Sequence, residues 1–154
     1  MRNMILLTAT VLLLGQCGTK EIPQAGMQMP DLEIQLSLNQ TVPLMGKDKT
    51  EVGEITFADL QDSRCPASAM CIRQGAAVTT FRVTTPINGE TQLVRLFIGD
   101  YMPNDPRNKR NLTADTVTIS AGSNTPYQLI LKQVTPYPGT GTEDAQATIM
   151  LKQN

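Results

Sequence analysis

The amino-acid sequence predicts an all-β domain, built as an antiparallel β-sandwich of about seven to eight strands. Apolar and polar residues alternate with a period of two in several short segments, as they do in half-buried strands. Residues that favour turns, mainly Gly, Pro and Asn, separate these segments. No stretch of ten or more residues shows the 3.6-residue period of an amphipathic helix. The pattern therefore predicts strands along the body of the chain.

The first strands are predicted from alternation alone. Residues 32–38 place Leu and Ile on one face and Glu, Gln and Ser on the other. Residues 41–44 either continue this strand or form a short partner to it. Ile55 and Phe57 alternate with polar neighbours, whereas Leu60 falls out of phase, which predicts a β-bulge before the cysteine pair.

The later strands combine β-branched residues with turn signals. Residues 76–83 and 91–98 are rich in β-branched side chains, and Asn88-Gly89 between them predicts a hairpin. Further strands are expected over residues 116–120, 127–134 and 147–151. This series predicts an immunoglobulin-like sandwich, with a small β-barrel as the alternative.

The composition excludes several classes of function. A chain of 154 residues fits one domain. With 13 Lys+Arg against 14 Asp+Glu the formal charge is −1, so electrostatics does not predict a nucleic-acid partner. The chain has no His, which excludes Ser-His-Asp and Cys-His catalysis and every His-ligated metal site. No cofactor and no metal are predicted.

The N-terminus has the pattern of an export signal. A basic Met1-Arg2-Asn3 precedes the apolar run of residues 4–14, which is too short to span a bilayer. The following Leu14-Gly15-Gln16-Cys17 resembles the lipobox of bacterial lipoproteins. In that family the Cys is diacylated and becomes the first mature residue, so residues 1–16 are predicted to be a lipoprotein signal peptide. An ordinary signal peptide with an unrelated Cys is the alternative.

The predicted location is the cell envelope. Residues 17–31 comprise the lipidated Cys17 and a flexible tether that spans about 20 Å, and the β-sandwich domain covers residues 32–154. Gly18 stands where inner-membrane lipoproteins of proteobacteria carry Asp, so the resemblance implies an outer-membrane protein that faces the periplasm. The expected partners are the membrane, through the lipid, and an unidentified envelope protein or polymer.

Residues 62–75, which we call the cysteine loop, contain Cys65 and Cys71. Three Cys is an odd number for an exported protein, and assigning Cys17 to the lipid leaves one pair. An exported pair is expected to form a disulfide, and a ring this small contributes roughly 2.4 kcal/mol through chain entropy. A redox pair, or a Cu(I) site that adds Met70, is the alternative.

Two sequence motifs lie in the predicted domain. The first is Asp-Ser-Arg-Cys-Pro over residues 62–66, followed by Cys71, Gly75 and Ala77. The second is Tyr-x-Leu-x-Leu-x-x-Val-x-Pro-x-Pro over residues 127–138. Both resemble motifs of a family of small uncharacterised bacterial lipoproteins, and the resemblance covers about residues 32–152. It implies a β-rich envelope domain and no particular chemistry.

Two loops carry the candidate binding residues. In the cysteine loop these are Arg64, Met70 and Arg73. Within residues 99–111 they form a basic cluster suited to phosphate or carboxylate groups of an envelope polymer or a partner, and comprise Arg107, Lys109 and Arg110. A solvated loop is the alternative for the basic cluster.

The predicted function is non-catalytic. The carboxylates near turns and polar strand faces fit solvated surface better than an acid–base pair, and these are Glu54, Asp59, Asp62, Asp100 and Asp105. The sequence also has no Ser-x-x-Lys motif. We therefore expect a membrane-anchored structural or binding accessory, and not an enzyme. The alternative is a protease-inhibitor-like module that presents Arg64-Cys65-Pro66 or Met70-Cys71-Ile72 on the disulfide loop.

Overall fold

The computed structural model describes residues 33–46, 49–86, 89–100, 111–121, 125–141 and 143–153. Four parts of the sequence-based prediction lie outside these residues: the signal peptide with Cys17 and the tether, the basic cluster, Asn88, and the candidate carboxylate Asp105. Within the described ranges, no helix has the length and apolar character that a membrane span requires.

The described chain forms eight β-strands. Residues 41–45 are a separate strand and do not continue the first one, which decides between the two readings left open by the sequence. The strands are β1 (Glu33–Ser37), β2 (Thr41–Met45), β3 (Glu51–Asp62), β4 (Ala76–Thr84), β5 (Thr91–Gly99), β6 (Asp115–Ala121), β7 (Thr125–Thr135) and β8 (Gln146–Gln153).

The eight strands form two antiparallel sheets of four strands each. One sheet has the order β1-β8-β7-β6 and the other has the order β2-β3-β4-β5. The predicted sandwich is thereby confirmed, and the sheets do not close into the barrel that was its alternative. Strands β2 to β5 form a meander in one sheet and strands β6 to β8 form a meander in the other, and only β1 pairs with a strand distant in sequence. This order differs from the strand order of immunoglobulin domains.

The core lies between the two sheets and follows the predicted alternation. In β1, Ile34 and Leu36 are buried while Glu33 and Gln35 face solvent. Phe57 of β3 and Phe81 of β4 contact each other with ring centroids 5.4 Å apart. The other large side chains that are almost fully buried in this core come from both sheets: Leu36, Leu44, Ile55, Leu96, Ile119, Leu129, Leu131, Ile149 and Leu151. Phe97 is buried in a separate, smaller cluster with Ala76 and Val78.

The predicted bulge in β3 is present. The register of β3 against β4 shifts between Phe57 and Asp59. Before the shift, Phe57 faces the core, and after it Leu60 packs against the same core although it is an odd number of residues away. The bulge therefore keeps the apolar side of β3 turned inward as the strand approaches the cysteine loop.

The edge strands β5 and β6 of the two sheets are joined by a buried carboxylate. Asp115 of β6 accepts a hydrogen bond from the backbone N–H of Phe97 in β5 at 3.0 Å, and a second from the N–H of Thr116 at 3.0 Å. An isolated bridge between Gly99 and Leu112 extends this connection. A charged acceptor thus occupies part of an edge that would otherwise be open to another strand.

Antiparallel pairing brings four connections to one end of the sandwich, which we call the loop end. These connections join β1 to β2, β3 to β4, β5 to β6, and β7 to β8. Strand β1 runs towards this end, because Ser37 pairs with Gln146 at the start of β8 whereas Glu33 pairs with Met150. The N-terminal end of β1, at Glu33, therefore lies on the side of the domain that faces away from the loop end.

Candidate functional site

The cysteine loop is the tip of the β3–β4 hairpin at the loop end. The hairpin ladder continues beyond the two strands, because Ser63 N–H donates to the Ala76 carbonyl at 2.9 Å and Cys65 N–H donates to the Gln74 carbonyl at 2.7 Å. The Ser63 hydroxyl donates to the same Ala76 carbonyl at 3.0 Å. The base of the loop is therefore an ordered extension of the sheet.

The predicted disulfide between Cys65 and Cys71 is confirmed, with the two Cα atoms 5.9 Å apart. Within the ring, Ala69 N–H donates to the Pro66 carbonyl at 3.0 Å and closes a turn. The ring and the turn together define the shape of the short segment that projects from the hairpin.

Arg64 lies inside the domain, and only 8% of its side chain is exposed. Its guanidinium forms a bidentate ion pair with Asp62, with Nε–Oδ1 at 2.9 Å and Nη2–Oδ2 at 2.6 Å. Nη1 donates to the Val134 carbonyl at 3.0 Å and Nη2 donates to the Pro136 carbonyl at 3.2 Å. We call this set of contacts the arginine clamp. It fixes the cysteine loop, from one sheet, to the end of β7 in the other.

The connection after β7 completes the clamp. The Arg64 guanidinium carbon lies 4.7 Å from the centre of the Tyr137 ring, within range of a cation–π contact. Ala67 N–H donates to the Pro138 carbonyl at 2.9 Å, which ties the ring itself to the same connection. The two sequence motifs over residues 62–66 and 127–138 therefore contact each other, although about 60 residues separate them.

Gly75 is required by the close approach of the two sides of the hairpin. Its φ is +68°, in the region that L side chains rarely adopt. A Cβ at this position would also overlap the carbonyl oxygen of Ser63. Gly99 approaches from β5 in a similar way, since a Cβ there would lie 2.5 Å from the Gly75 carbonyl oxygen. Both glycines allow three backbone segments to meet beneath the cysteine loop.

The outer side of the cysteine loop is fully exposed. Met70 and Ile72 have relative exposures of 103% and 105%, and we call these two side chains the apolar rim. Arg73 follows them and is also exposed. Residues 66–74 face solvent throughout, in contrast to the buried Arg64 and Cys65 that precede them.

An open groove of about 400 Å³ runs beside the apolar rim. None of the residues that line it carries a charge, and Tyr137 forms one wall while its ring also contacts Arg64. The lining residues are Cys65, Pro66, Ala67, Ala69, Met70, Cys71, Gln74 and Tyr137. The loop end thus presents a small concave, uncharged surface next to a convex apolar one.

The structure separates the residues that the sequence grouped in one binding loop. Met70 and Arg73 are exposed, whereas Arg64 is buried in the clamp. Sequence reasoning missed Tyr137 and the role of Asp62. The spacing Asp62-x-Arg64 did hold a signal, because residues two apart on an extended strand lie on one face. Tyr137 had no comparable local signal.

The described residues outside the cysteine loop offer few groups suited to catalysis or metal binding. Among them, no group of three or more His, Cys, Asp or Glu side chains is placed to hold a metal ion. Asp62 is engaged by Arg64, and Glu54 and Asp59 are exposed on β3. Cys17, Arg107, Lys109 and Arg110 lie outside the described residues.

The chain matches no protein-family model, no curated protein and no solved structure.

Proposed function

We propose that this protein is a membrane-anchored lipoprotein of the bacterial cell envelope that acts as a non-catalytic binding accessory. The observation that carries the proposal is the cysteine loop, which is fixed at its base by the arginine clamp and exposes two apolar side chains at its outer side. Such a loop is suited to recognition, because a surface that is already ordered loses little conformational entropy on binding.

The direction of β1 supports the proposed anchoring. The N-terminal end of β1 lies on the side of the domain that faces away from the loop end. A lipid on Cys17 with a tether of about 20 Å would hold that side towards the membrane. Strand β7 has 11 residues and spans about 36 Å, so the loop end would project well away from the lipid surface. In an outer-membrane lipoprotein the cysteine loop would then face the periplasm.

Anchoring is tested by comparing Cys17→Ala with the unchanged protein in fractionated cells. We expect the unchanged protein in the membrane fraction, with acyl chains detected by mass spectrometry, because two acyl chains are enough for stable attachment. Cys17→Ala should lose the acyl mass and leave the membrane fraction. Thr19→Ala is the matched control and should behave as the unchanged protein. Membrane retention of Cys17→Ala, or an unacylated mature protein, would contradict the proposal.

A second candidate function is inhibition of a protease. The exposed Met70-Cys71-Ile72 segment on a clamped ring supports this candidate, because inhibitors commonly present an ordered convex segment to a protease cleft. Arg64 is buried, so Met70 would have to supply the side chain that enters the specificity pocket.

The two functions are separated by titrating the purified protein against a panel of serine and cysteine proteases. If the protein is an inhibitor, at least one protease should be inhibited stoichiometrically and Met70→Asp should remove the effect. Leu93→Asp is the matched control, because Leu93 is 65% exposed on β5 and lies outside the cysteine loop. Uninhibited proteases throughout the panel would exclude this candidate and leave the accessory role.

A further inference from the structure

We infer that the apolar rim and the groove beside it form one docking site for an uncharged segment of a partner protein, whose apolar side chains contact the rim. The inference rests on the proposed binding role and names the chemistry of the partner. It has three supports: the exposure of Met70 and Ile72, the lining of the groove, and the rigidity of the base.

The apolar rim is the most exposed apolar surface in the described chain. The other large apolar side chains with substantial exposure are Leu93 at 65%, Leu38 at 39% and Tyr137 at 38%. Single exposed apolar residues are common on protein surfaces. Here, however, two of them flank Cys71 of the disulfide, and one of the two, Met70, also lines a groove. Adjacent exposed apolar groups of this kind mark protein contact sites, and Met adapts its shape to a partner.

The groove selects for an uncharged ligand. Its lining contains a disulfide, three small apolar residues, Met70, Gln74 and Tyr137. The nearby guanidinium of Arg64 is already neutralised by Asp62. A charged side chain placed here would find no lining residue of opposite charge. The volume of about 400 Å³ lies near the lower limit of clefts that hold ligands, which run from about 300 to 1,000 Å³.

The shape of the site favours a protein over a lipid surface. A convex rim beside a concave groove requires a partner surface with a matching concave and a matching convex part, and a protein segment can provide both. A bilayer surface would contact the rim but would leave the groove unfilled. The arginine clamp and the disulfide keep the two parts in fixed relation, which lowers the cost of ordering on binding to a folded partner.

The test uses the mature protein, as cells produce it, against an array of short immobilised peptides in matched charged and uncharged series. Binding of the best peptides is then measured by fluorescence anisotropy. We expect uncharged peptides rich in Leu, Val and Phe to bind. The double variant M70S/I72S should weaken binding by about tenfold or more, since two central apolar contacts are lost.

Two further variants test the groove separately and control for the loss of an exposed apolar side chain. Gln74→Lys places a charge in the groove while leaving the clamp intact, and it should weaken the same peptides. Leu93→Ser removes a comparable exposed apolar side chain from β5 and should leave binding unchanged. Circular dichroism of each variant verifies that the fold is retained.

Three outcomes would overturn the inference. They are preference for charged peptides, equal binding by M70S/I72S, and absence of any binding peptide. Binding of vesicles of phosphatidylethanolamine and phosphatidylglycerol that depends on Met70 and Ile72 would also overturn it, in favour of a membrane contact. Failure here leaves the acylation and fractionation results at Cys17 unaffected, so the failure of this inference is distinguishable from failure of the proposed function.

Discussion

The two sides of the cysteine loop differ in burial and in bonding. On the side that enters from β3, Arg64 and Cys65 are 9% and 7% exposed, and Arg64 bonds to two backbone carbonyls of the opposite sheet. On the side that returns to β4, Met70 and Ile72 are fully exposed. The loop therefore combines a buried, polar base with an exposed, apolar rim, the reverse of the usual distribution.

This loop is held rigid mainly by contacts with residues outside it. The disulfide closes only a local ring, whereas the arginine clamp connects the loop to residues about 70 positions away in the other sheet. We therefore expect substitutions at the base to affect folding, and substitutions at the rim to affect only recognition.

The largest effect is expected for Arg64→Ala. The substitution leaves the Asp62 carboxylate without its ion pair and removes the donors to the Val134 and Pro136 carbonyls. Because the guanidinium is buried and holds two backbone carbonyls as well as the carboxylate, its loss is expected to lower the free energy of unfolding by about 3 to 4 kcal/mol. Urea unfolding followed by circular dichroism measures the loss.

Arg73→Ala is the control for the clamp, because it removes an exposed Arg from the same loop. Its unfolding free energy should stay within about 0.5 kcal/mol of the unchanged protein. If Arg64→Ala costs no more than Arg73→Ala, the clamp does not stabilise the domain and the division between base and rim fails.

A smaller loss is expected for Gly75→Ala, at the point where the hairpin sides meet. The positive φ alone costs about 1 to 2 kcal/mol for an L side chain. The added Cβ would also displace the Ser63 carbonyl, so the total loss should reach about 2 to 3 kcal/mol. Gly89→Ala isolates the first contribution, because Gly89 has a φ of +60° but nothing within 4 Å of the added Cβ. Equal losses of unfolding free energy in the two variants, measured by urea unfolding, would show that the contact between the added Cβ and the Ser63 carbonyl does not destabilise the domain.

Local patterns in the sequence predicted most of the fold. The period-two alternation of β1 and the hairpin signal between β4 and β5 depend on neighbours along the chain, so they can be predicted without tertiary information. The phase change at Leu60 predicted the bulge for the same reason. The meander order was not predictable from these signals, because an alternating strand is compatible with several neighbours.

The candidate site was predicted only in part. Cysteine counting, with Cys17 assigned to the predicted lipid, was sufficient to predict the pair of Cys65 and Cys71. Arg64 was predicted at the binding surface because a charged side chain in a loop is usually solvated. Its burial depends on the Val134 and Pro136 carbonyls, which are distant in sequence and unmarked by any side-chain pattern. A contact to a backbone carbonyl does not depend on which residue supplies that carbonyl, so no side-chain pattern in the sequence predicts it. This explains why the clamp was missed.

The disulfide is expected to contribute less than the clamp. Replacing both cysteines, as C65A/C71A, removes the constraint on a small ring and should lower the free energy of unfolding by about 2 kcal/mol. The ladder contacts of Ser63 and Gln74 do not require the ring, so the far-ultraviolet circular dichroism spectrum should remain that of the unchanged protein. A loss exceeding that of Arg64→Ala would show that the ring, and not the clamp, is the main restraint on the loop.

The smallest effect on stability, and the clearest difference between base and rim, is expected for oxidation of Met70. Dilute hydrogen peroxide transfers one oxygen to the thioether and leaves water, forming methionine sulfoxide. Because Met70 is fully exposed while Met45 and Met150 are half-buried, its sulfoxide should form several-fold faster, as followed by peptide mapping of the folded protein. In urea the three rates should converge, which is the control for intrinsic reactivity. The oxidised protein should keep its unfolding free energy within about 0.5 kcal/mol, since Met70 supports no packing. Slow oxidation of Met70, or a clear loss of stability after its oxidation, would mean that the rim is packed against the domain in solution. The rim would then be buried like the base, and the contrast in burial between the two sides of the loop would not hold.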